Sequence, residues 1–212
     1  KVAKGGESCE LLLYMLAQSF LSYPQLFCKM PLKTSNNMHV HGIDGIHVKY
    51  EPSTGRLALF WGESKLHATI YSAVTECLDS LKPFFESVGA ADAAAERDLQ
   101  LINDNLDLND PELQEAVLTY LNRESNNYDK LHLRGLCLVG FDTDLYPDKP
   151  NTKQFDAVLA EAKAALTNWK KTISEQVANR PPLESLDIAI LVVPFPSVEA
   201  FRAAFQRELT DG

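Results

Sequence analysis

The stretch HGIDGIHVKY (His41–Tyr50), followed after a short turn by RLALFWGESKL (Arg56–Leu66), determines how we interpret the fold. Side chains from Ile43 to Tyr50 alternate between two faces, as they do in a half-buried strand. The intervening PSTG has the composition of a tight turn. The two stretches are therefore predicted to form an antiparallel hairpin.

Flanking segments extend this hairpin into a mixed α/β pattern. A strand candidate at Phe27–Leu32 precedes the hairpin and completes an antiparallel meander of three strands. The remaining predicted elements are helices at 7–22, 70–85, 89–127, 153–177 and 197–209, and strands at 131–141 and 187–193. This order predicts an α/β fold with one mixed central sheet and helices on both faces. We expect a single domain over residues 1–212, with a helical acidic insertion at about 89–127.

The hydrophobic pattern also predicts which faces are buried. Strand 187–193 is a continuous apolar run, so we expect it to be fully buried. The first helix has apolar residues at helical spacing, and so does the long helix. The predicted buried positions are Leu12, Met15, Leu16, Ser19 or Phe20 and Tyr23 in the first helix, and Phe155, Val158, Leu159, Ala162, Leu166, Trp169 and Ile173 in the long one.

The charge distribution is uneven. The chain has a net charge of −9, but residues 1–65 carry +2, residues 66–126 carry −9 and residues 127–212 carry −2. A protein that coats nucleic acid with its whole surface is excluded, because phosphate binding requires local positive charge. We interpret the acidic segment as facing a basic partner or repelling DNA from the isolated protein; a solvated helix face remains the alternative.

Composition excludes several further classes. The longest strongly apolar run, Ile188–Phe195, is far shorter than the roughly 20 residues that span a bilayer, so no membrane association is expected. The four cysteines are widely spaced and favour buried free thiols in a reducing cytoplasm. No Cys and His residues stand at the spacing of a zinc site.

Three charged residues lie where a solvated charge is unexpected. Asp44 falls among the apolar positions of its strand, and Glu63 and Lys65 share one face of the next strand while Ser64 points away. Burying such charges costs free energy unless something compensates them, and a divalent metal does so. Two carboxylates suit Mg²⁺, and a lysine beside them can stabilise charge that develops on a phosphate.

A fourth carboxylate is a candidate on the first helix. Glu7 and Glu10 both stand in its first turn, and Glu10 leads directly into the apolar run, so Glu10 is the preferred site residue. The alternative is that both acids complement the helix dipole. Asp142 and Asp144, which follow a predicted strand, are interpreted as ordinary loop carboxylates.

The helix with its acid, the sequence GIDGIHV around Asp44 and the sequence GESK around Glu63 together resemble the PD-(D/E)xK nuclease superfamily. More closely, they resemble the HamA family, whose members are the small subunit of the Hachiman anti-phage defence system. The superfamily's proline is absent, because Ile43 precedes Asp44.

The resemblance implies a PD-(D/E)xK restriction-endonuclease-like core and a DNA nuclease that depends on Mg²⁺ or Mn²⁺. Carried over by position, Asp44 and Glu63 are metal ligands, Lys65 is the catalytic lysine, and Glu10 is a further catalytic acid. The resemblance also implies a large superfamily 2 helicase partner of the HamB type. The alternative is a non-catalytic subunit that keeps the nuclease fold and regulates or scaffolds a helicase.

Overall fold

A computed structural model describes residues 6–28, 44–86, 111–149, 152–184 and 186–211. Five strands and six α-helices occur in these residues. In chain order they are α1 (Glu7–Leu21), β1 (Gln25–Cys28), β2 (Gly45–Glu51), β3 (Arg56–His67), α2 (Ile70–Glu86), α3 (Pro111–Leu121), β4 (Leu131–Asp142), α4 (Phe155–Ala178), α5 (Pro181–Glu184), β5 (Ile188–Phe195) and α6 (Val198–Asp211).

The five strands form one mixed sheet in the order β1-β2-β3-β4-β5. The first three strands pair antiparallel, and the β3–β4 and β4–β5 pairs are parallel. Strand β3 therefore lies at the centre of the sheet, with an antiparallel neighbour on one side and a parallel neighbour on the other. The predicted antiparallel meander is confirmed.

Helices cover both faces of the sheet, as predicted. On one face, Trp61 and Leu59 of β3 pack in a core that includes residues of α2 and α3. On the other face, Phe60 and Leu138 pack in a second core with α1 and α6. Alternate residues of β3 enter the two cores, and this alternation assigns every side chain of the strand to a definite face. The α/β fold is thus confirmed.

Helix α1 buries a different stripe from the predicted one. Its buried residues are Ser8, Cys9, Glu10, Leu13 and Ala17, whereas Met15 and Phe20, predicted to be buried, are exposed. The run LLLYML is apolar around much of the helix, so periodicity left its rotation undetermined. The observed rotation turns the first-turn carboxylate Glu10 toward the sheet.

Two other burial predictions are also wrong. Strand β5 is half-buried along its whole length, because it is the last strand in the sheet order and lacks a neighbour on its outer side among the described residues. In α4, Phe155, Leu159 and Leu166 are exposed. Ile173 and Val177 pack against the core that contains α2, and the ring of Trp169 meets the ring of Phe141 edge to face. The C-terminal half of α4 therefore attaches this helix to the rest of the fold.

The acidic insertion lies partly outside the described residues. Of the predicted region 89–127, residues 111–121 form α3, and residues 89–110 are not among those described. Ile43 and residues 29–32 of the first strand candidate also lie outside the described residues. None of the described helices combines the length and hydrophobicity that crossing a bilayer requires.

The side chain of Asp142, at the carboxyl end of β4, contacts the start of α6. Asp142 Oδ1 accepts a hydrogen bond of 2.6 Å from the backbone N–H of Val198, at the first residue of α6. This contact satisfies one of the N–H groups that every helix start leaves without an intrahelical partner. Asp142 is thus the last residue of β4 and caps α6, whereas the sequence pattern favoured an ordinary loop carboxylate.

Substitution of Gly140 by alanine is expected to destabilise the fold. A Cβ atom there would lie 2.3 Å from Leu66 Cδ2 and 2.7 Å from Phe195 Cε2, so packed side chains would have to shift. We expect the free energy of unfolding to fall by about 1–3 kcal/mol, measured by urea titration. At Gly135 the nearest atoms are 3.1 Å away, so Gly135→Ala serves as a milder control. An equal or larger loss at Gly135 would contradict this account of the packing.

Candidate functional site

The candidate site is built on the second half of β3. Glu63 and Lys65 share the face that α2 covers, as predicted, and their side chains form an ion pair with 2.5 Å between Lys65 Nζ and Glu63 Oε1. Glu63 is 4% exposed, whereas the side chain of Lys65 is 26% exposed. The pair therefore has a buried carboxylate and an ammonium group that solvent reaches.

Burial changes the proton affinity of both groups. Burial and the nearby charge of Asp44 raise the pKa of Glu63 to about 7, although Lys65 and a hydrogen bond with Ser80 oppose the change. Burial alone would lower the pKa of Lys65, but the Glu63 carboxylate outweighs it and the net pKa is raised. Lys65 is therefore protonated at neutral pH, and Glu63 lies in surroundings that favour an added positive charge.

Asp44 approaches this pair from the neighbouring strand. It stands one residue before β2, and its backbone N–H donates to the carbonyl of Gly62 at 2.9 Å. Its Oδ2 accepts two hydrogen bonds, from the backbone N–H of Ser64 at 2.8 Å and from the Ser64 hydroxyl at 2.6 Å. Because Asp44 precedes the regular strand, strand alternation did not reveal the contact with Ser64.

Glu10 lies in the same region. It is a buried residue of α1, 9% exposed, whereas Glu7 in the same turn is only half-buried. Glu10 directly follows Cys9, and the charges of Asp44 and Lys65 also affect the pKa of the Cys9 thiol, so this turn of α1 lies near both residues. Their proximity keeps Glu10 as the preferred candidate of the two acids, and its catalytic role stays a prediction.

Two buried thiols contact the backbone of the GESK segment, a position that their spacing along the chain did not predict. Cys77 Sγ donates to the carbonyl of Glu63 at 3.3 Å, and Cys9 Sγ approaches the carbonyl of Ser64 at 3.8 Å. Burial raises the pKa of both thiols, so they stay protonated and act as weak donors. Helices α2 and α1 thus hold the strand from opposite faces.

The residues present fit a magnesium ion with part of its water shell retained. Asp44 and Glu63 are hard oxygen donors close enough for their charges to interact, as the raised pKa of Glu63 shows. Among the residues that the structure describes, no group of three or more His, Cys, Asp and Glu side chains is arranged to hold a metal. Mg²⁺ is commonly bound by one or two carboxylates, with waters and substrate phosphates completing the octahedron.

Two histidines flank the site and differ in their surroundings. His67 follows Lys65 on the same face of β3, and its Nε2 lies 2.7 Å from Glu76 Oε2 at the protein surface. His47 on β2 is buried, with its Nδ1 3.1 Å from the carbonyl of Tyr23. Burial lowers the pKa of His47 to about 4, so its imidazole is neutral at physiological pH.

The burial of His47 predicts that the free energy of unfolding decreases at acidic pH. Between pH 6.5 and about 4 the unfolded chain binds a proton at this residue and the folded chain does not, so stability falls as the pH decreases through this range. The free energy lost between pH 7 and 4.5 should be about 2 kcal/mol smaller in His47→Gln than in the wild type. Urea unfolding at several pH values measures it, and parallel curves for the two proteins would contradict the assignment.

Comparison with known proteins bears on identity. The model of the HamA family matches residues 1–209, which is nearly the whole chain and includes every residue of the site described above. No curated protein matches the chain. A match of this extent establishes family membership, so the chain belongs to the HamA family of the Hachiman anti-phage defence system.

Proposed function

We propose that this chain is a metal-dependent DNA nuclease, the effector subunit of a defence complex with a large superfamily 2 helicase of the HamB type. The observation that carries the proposal is the convergence of Asp44, Glu63 and Lys65 at one end of the β2–β3 hairpin. Two adjacent carboxylates beside a lysine are the minimum set for metal-assisted cleavage of a phosphodiester. This arrangement is the one expected of a PD-(D/E)xK site.

The two carboxylates would hold the cation. Bound there, Mg²⁺ or Mn²⁺ would lower the pKa of a water molecule and neutralise charge on the scissile phosphate. Glu63 is fixed by its position in a central strand, and Asp44 is fixed by its bonds to Gly62 and Ser64. The chain thus supplies rigid oxygen donors, which a catalytic site requires.

In the proposed mechanism, Lys65 has an electrostatic role. Its raised pKa keeps the ammonium group charged, so it can donate hydrogen bonds to phosphate oxygens as negative charge accumulates on them. The same raised pKa makes it a poor proton acceptor at neutral pH. Its partial exposure leaves it accessible to a substrate from solvent.

The helicase partnership is proposed from family membership. A subunit whose net charge is −9 is a weak DNA binder on its own, because phosphate contacts require positive charge. The proposed site lies in residues 1–65, the third of the chain that carries +2, and a helicase would bring DNA to it. The alternative, a non-catalytic subunit that regulates or scaffolds the helicase, predicts co-purification without cleavage.

Substitution of the site residues is expected to abolish cleavage. Asp44→Ala, Glu63→Ala and Lys65→Ala should each reduce Mg²⁺-dependent cleavage by about 100-fold or more, because each removes a group that acts on the reacting phosphate. The measurement is digestion of plasmid and single-stranded DNA, with labelled RNA in parallel, with and without a HamB-type helicase.

A matched pair on α4 serves as the control. Lys171 and Glu175 form an exposed ion pair four residues apart, so Lys171→Ala and Glu175→Ala remove the same kinds of charge far from β3. Both should retain wild-type cleavage. Full activity in all three site variants would refute the proposal, and helicase binding with no cleavage under any condition would favour the non-catalytic alternative.

A further inference from the structure

Ser64 lies between Glu63 and Lys65 in the GESK segment, and no function was assigned to it from the sequence. Strand alternation turns it away from Glu63 and Lys65, toward the face covered by α1. It is 2% exposed, and the Cys9 thiol approaches its carbonyl oxygen. A substrate in solvent does not reach this side chain, so any influence on the reaction must pass through a neighbour.

That neighbour is Asp44, and the contact involves one oxygen of its carboxylate. The Ser64 backbone N–H and hydroxyl both donate to Oδ2, at 2.8 and 2.6 Å. A carboxylate oxygen has two lone pairs, so these two donors satisfy Oδ2. Among the described residues, the hydrogen bonds to the Asp44 carboxylate fall on Oδ2 and leave Oδ1 for an external ligand.

We infer that Ser64 is a positioning residue, which fixes Asp44 so that it binds a divalent cation through Oδ1 alone. The inference rests on the proposed function, because it concerns the same cation. The Asp44 backbone is anchored outside the regular strand by its bond to Gly62, and without Ser64 two side-chain torsions would be free to rotate. Hydrogen-bond donors to a metal-binding carboxylate orient its side chain and influence its affinity for the metal.

Fixing one oxygen also has a consequence for metal choice. Mg²⁺ and Mn²⁺ favour octahedral sites with separate oxygen donors, whereas Ca²⁺ readily accepts both oxygens of one carboxylate. With Oδ2 held by Ser64, two-oxygen binding by Asp44 is disfavoured. Removal of the hydroxyl leaves Oδ2 with only the 2.8 Å bond from the Ser64 backbone N–H, so the carboxylate is less restrained. Ser64 therefore selects for the smaller ion.

The test measures metal binding without DNA, by calorimetric titration of the full chain with MnCl₂ and with CaCl₂. Ser64→Ala should weaken Mn²⁺ binding by about 10-fold and Ca²⁺ binding by less, so the ratio of the two affinities falls. Ser64→Thr, which keeps the hydroxyl, should restore the wild-type ratio. Ser8→Ala is the matched control, because Ser8 is equally buried but its hydroxyl has no partner among the described residues.

Two results would overturn the inference while leaving the proposed function intact. One is a wild-type chain that binds Mn²⁺ and a Ser64→Ala variant with the same Mn²⁺-to-Ca²⁺ ratio. The other is a ratio that Ser64→Thr shifts as much as Ser64→Ala does. A wild-type chain that binds neither ion, or binding that persists in Asp44→Asn, would instead refute the metal site itself and the inference with it.

Discussion

The cost of burying charge in the middle of a sheet constrains the whole site. Glu63 lies in β3, the central strand, with neighbours on both sides and helices over both faces. A carboxylate in such a place requires compensation from partners. Lys65 supplies one positive charge, but the nearby Asp44 adds a second negative charge, and the pKa of Glu63 remains raised. This residual preference for positive charge makes the site suitable for a cation.

Much of the fold could be predicted because strand alternation is a short-range signal. The period of two in β3 predicted that Glu63 and Lys65 share one face, but the first part of β2 is buried on both faces, including His47, and Tyr50 is exposed. The rotation of α1 could not be predicted, since its sequence is apolar on several sides and the sheet selects which side is buried. The exposure of β5 depends on its place in the sheet order, which no local pattern reveals.

The contacts that the sequence did not predict are that of Asp44 with Ser64 and those of two helix thiols with β3. Asp44 meets Ser64 because the chain leaves the ladder just before β2, and there the rule of alternating faces no longer applies. Cys9 and Cys77 reach β3 from helices 54 and 14 residues away from Glu63, through packing that only the assembled fold determines. Residue types could be read from the sequence, but these neighbours could not.

The change from antiparallel to parallel pairing at β3 determines the order in which the molecule can assemble. The β2–β3 pair is closed by a turn of four residues, and such local hairpins form within microseconds. Leu57 of β3 pairs with Leu131 of β4, so that contact requires closure of a much longer loop. Asp44 and Glu63 both belong to the local hairpin. We therefore expect the two carboxylates to meet early in folding, while water still screens their mutual repulsion and before the parallel strands exclude that water.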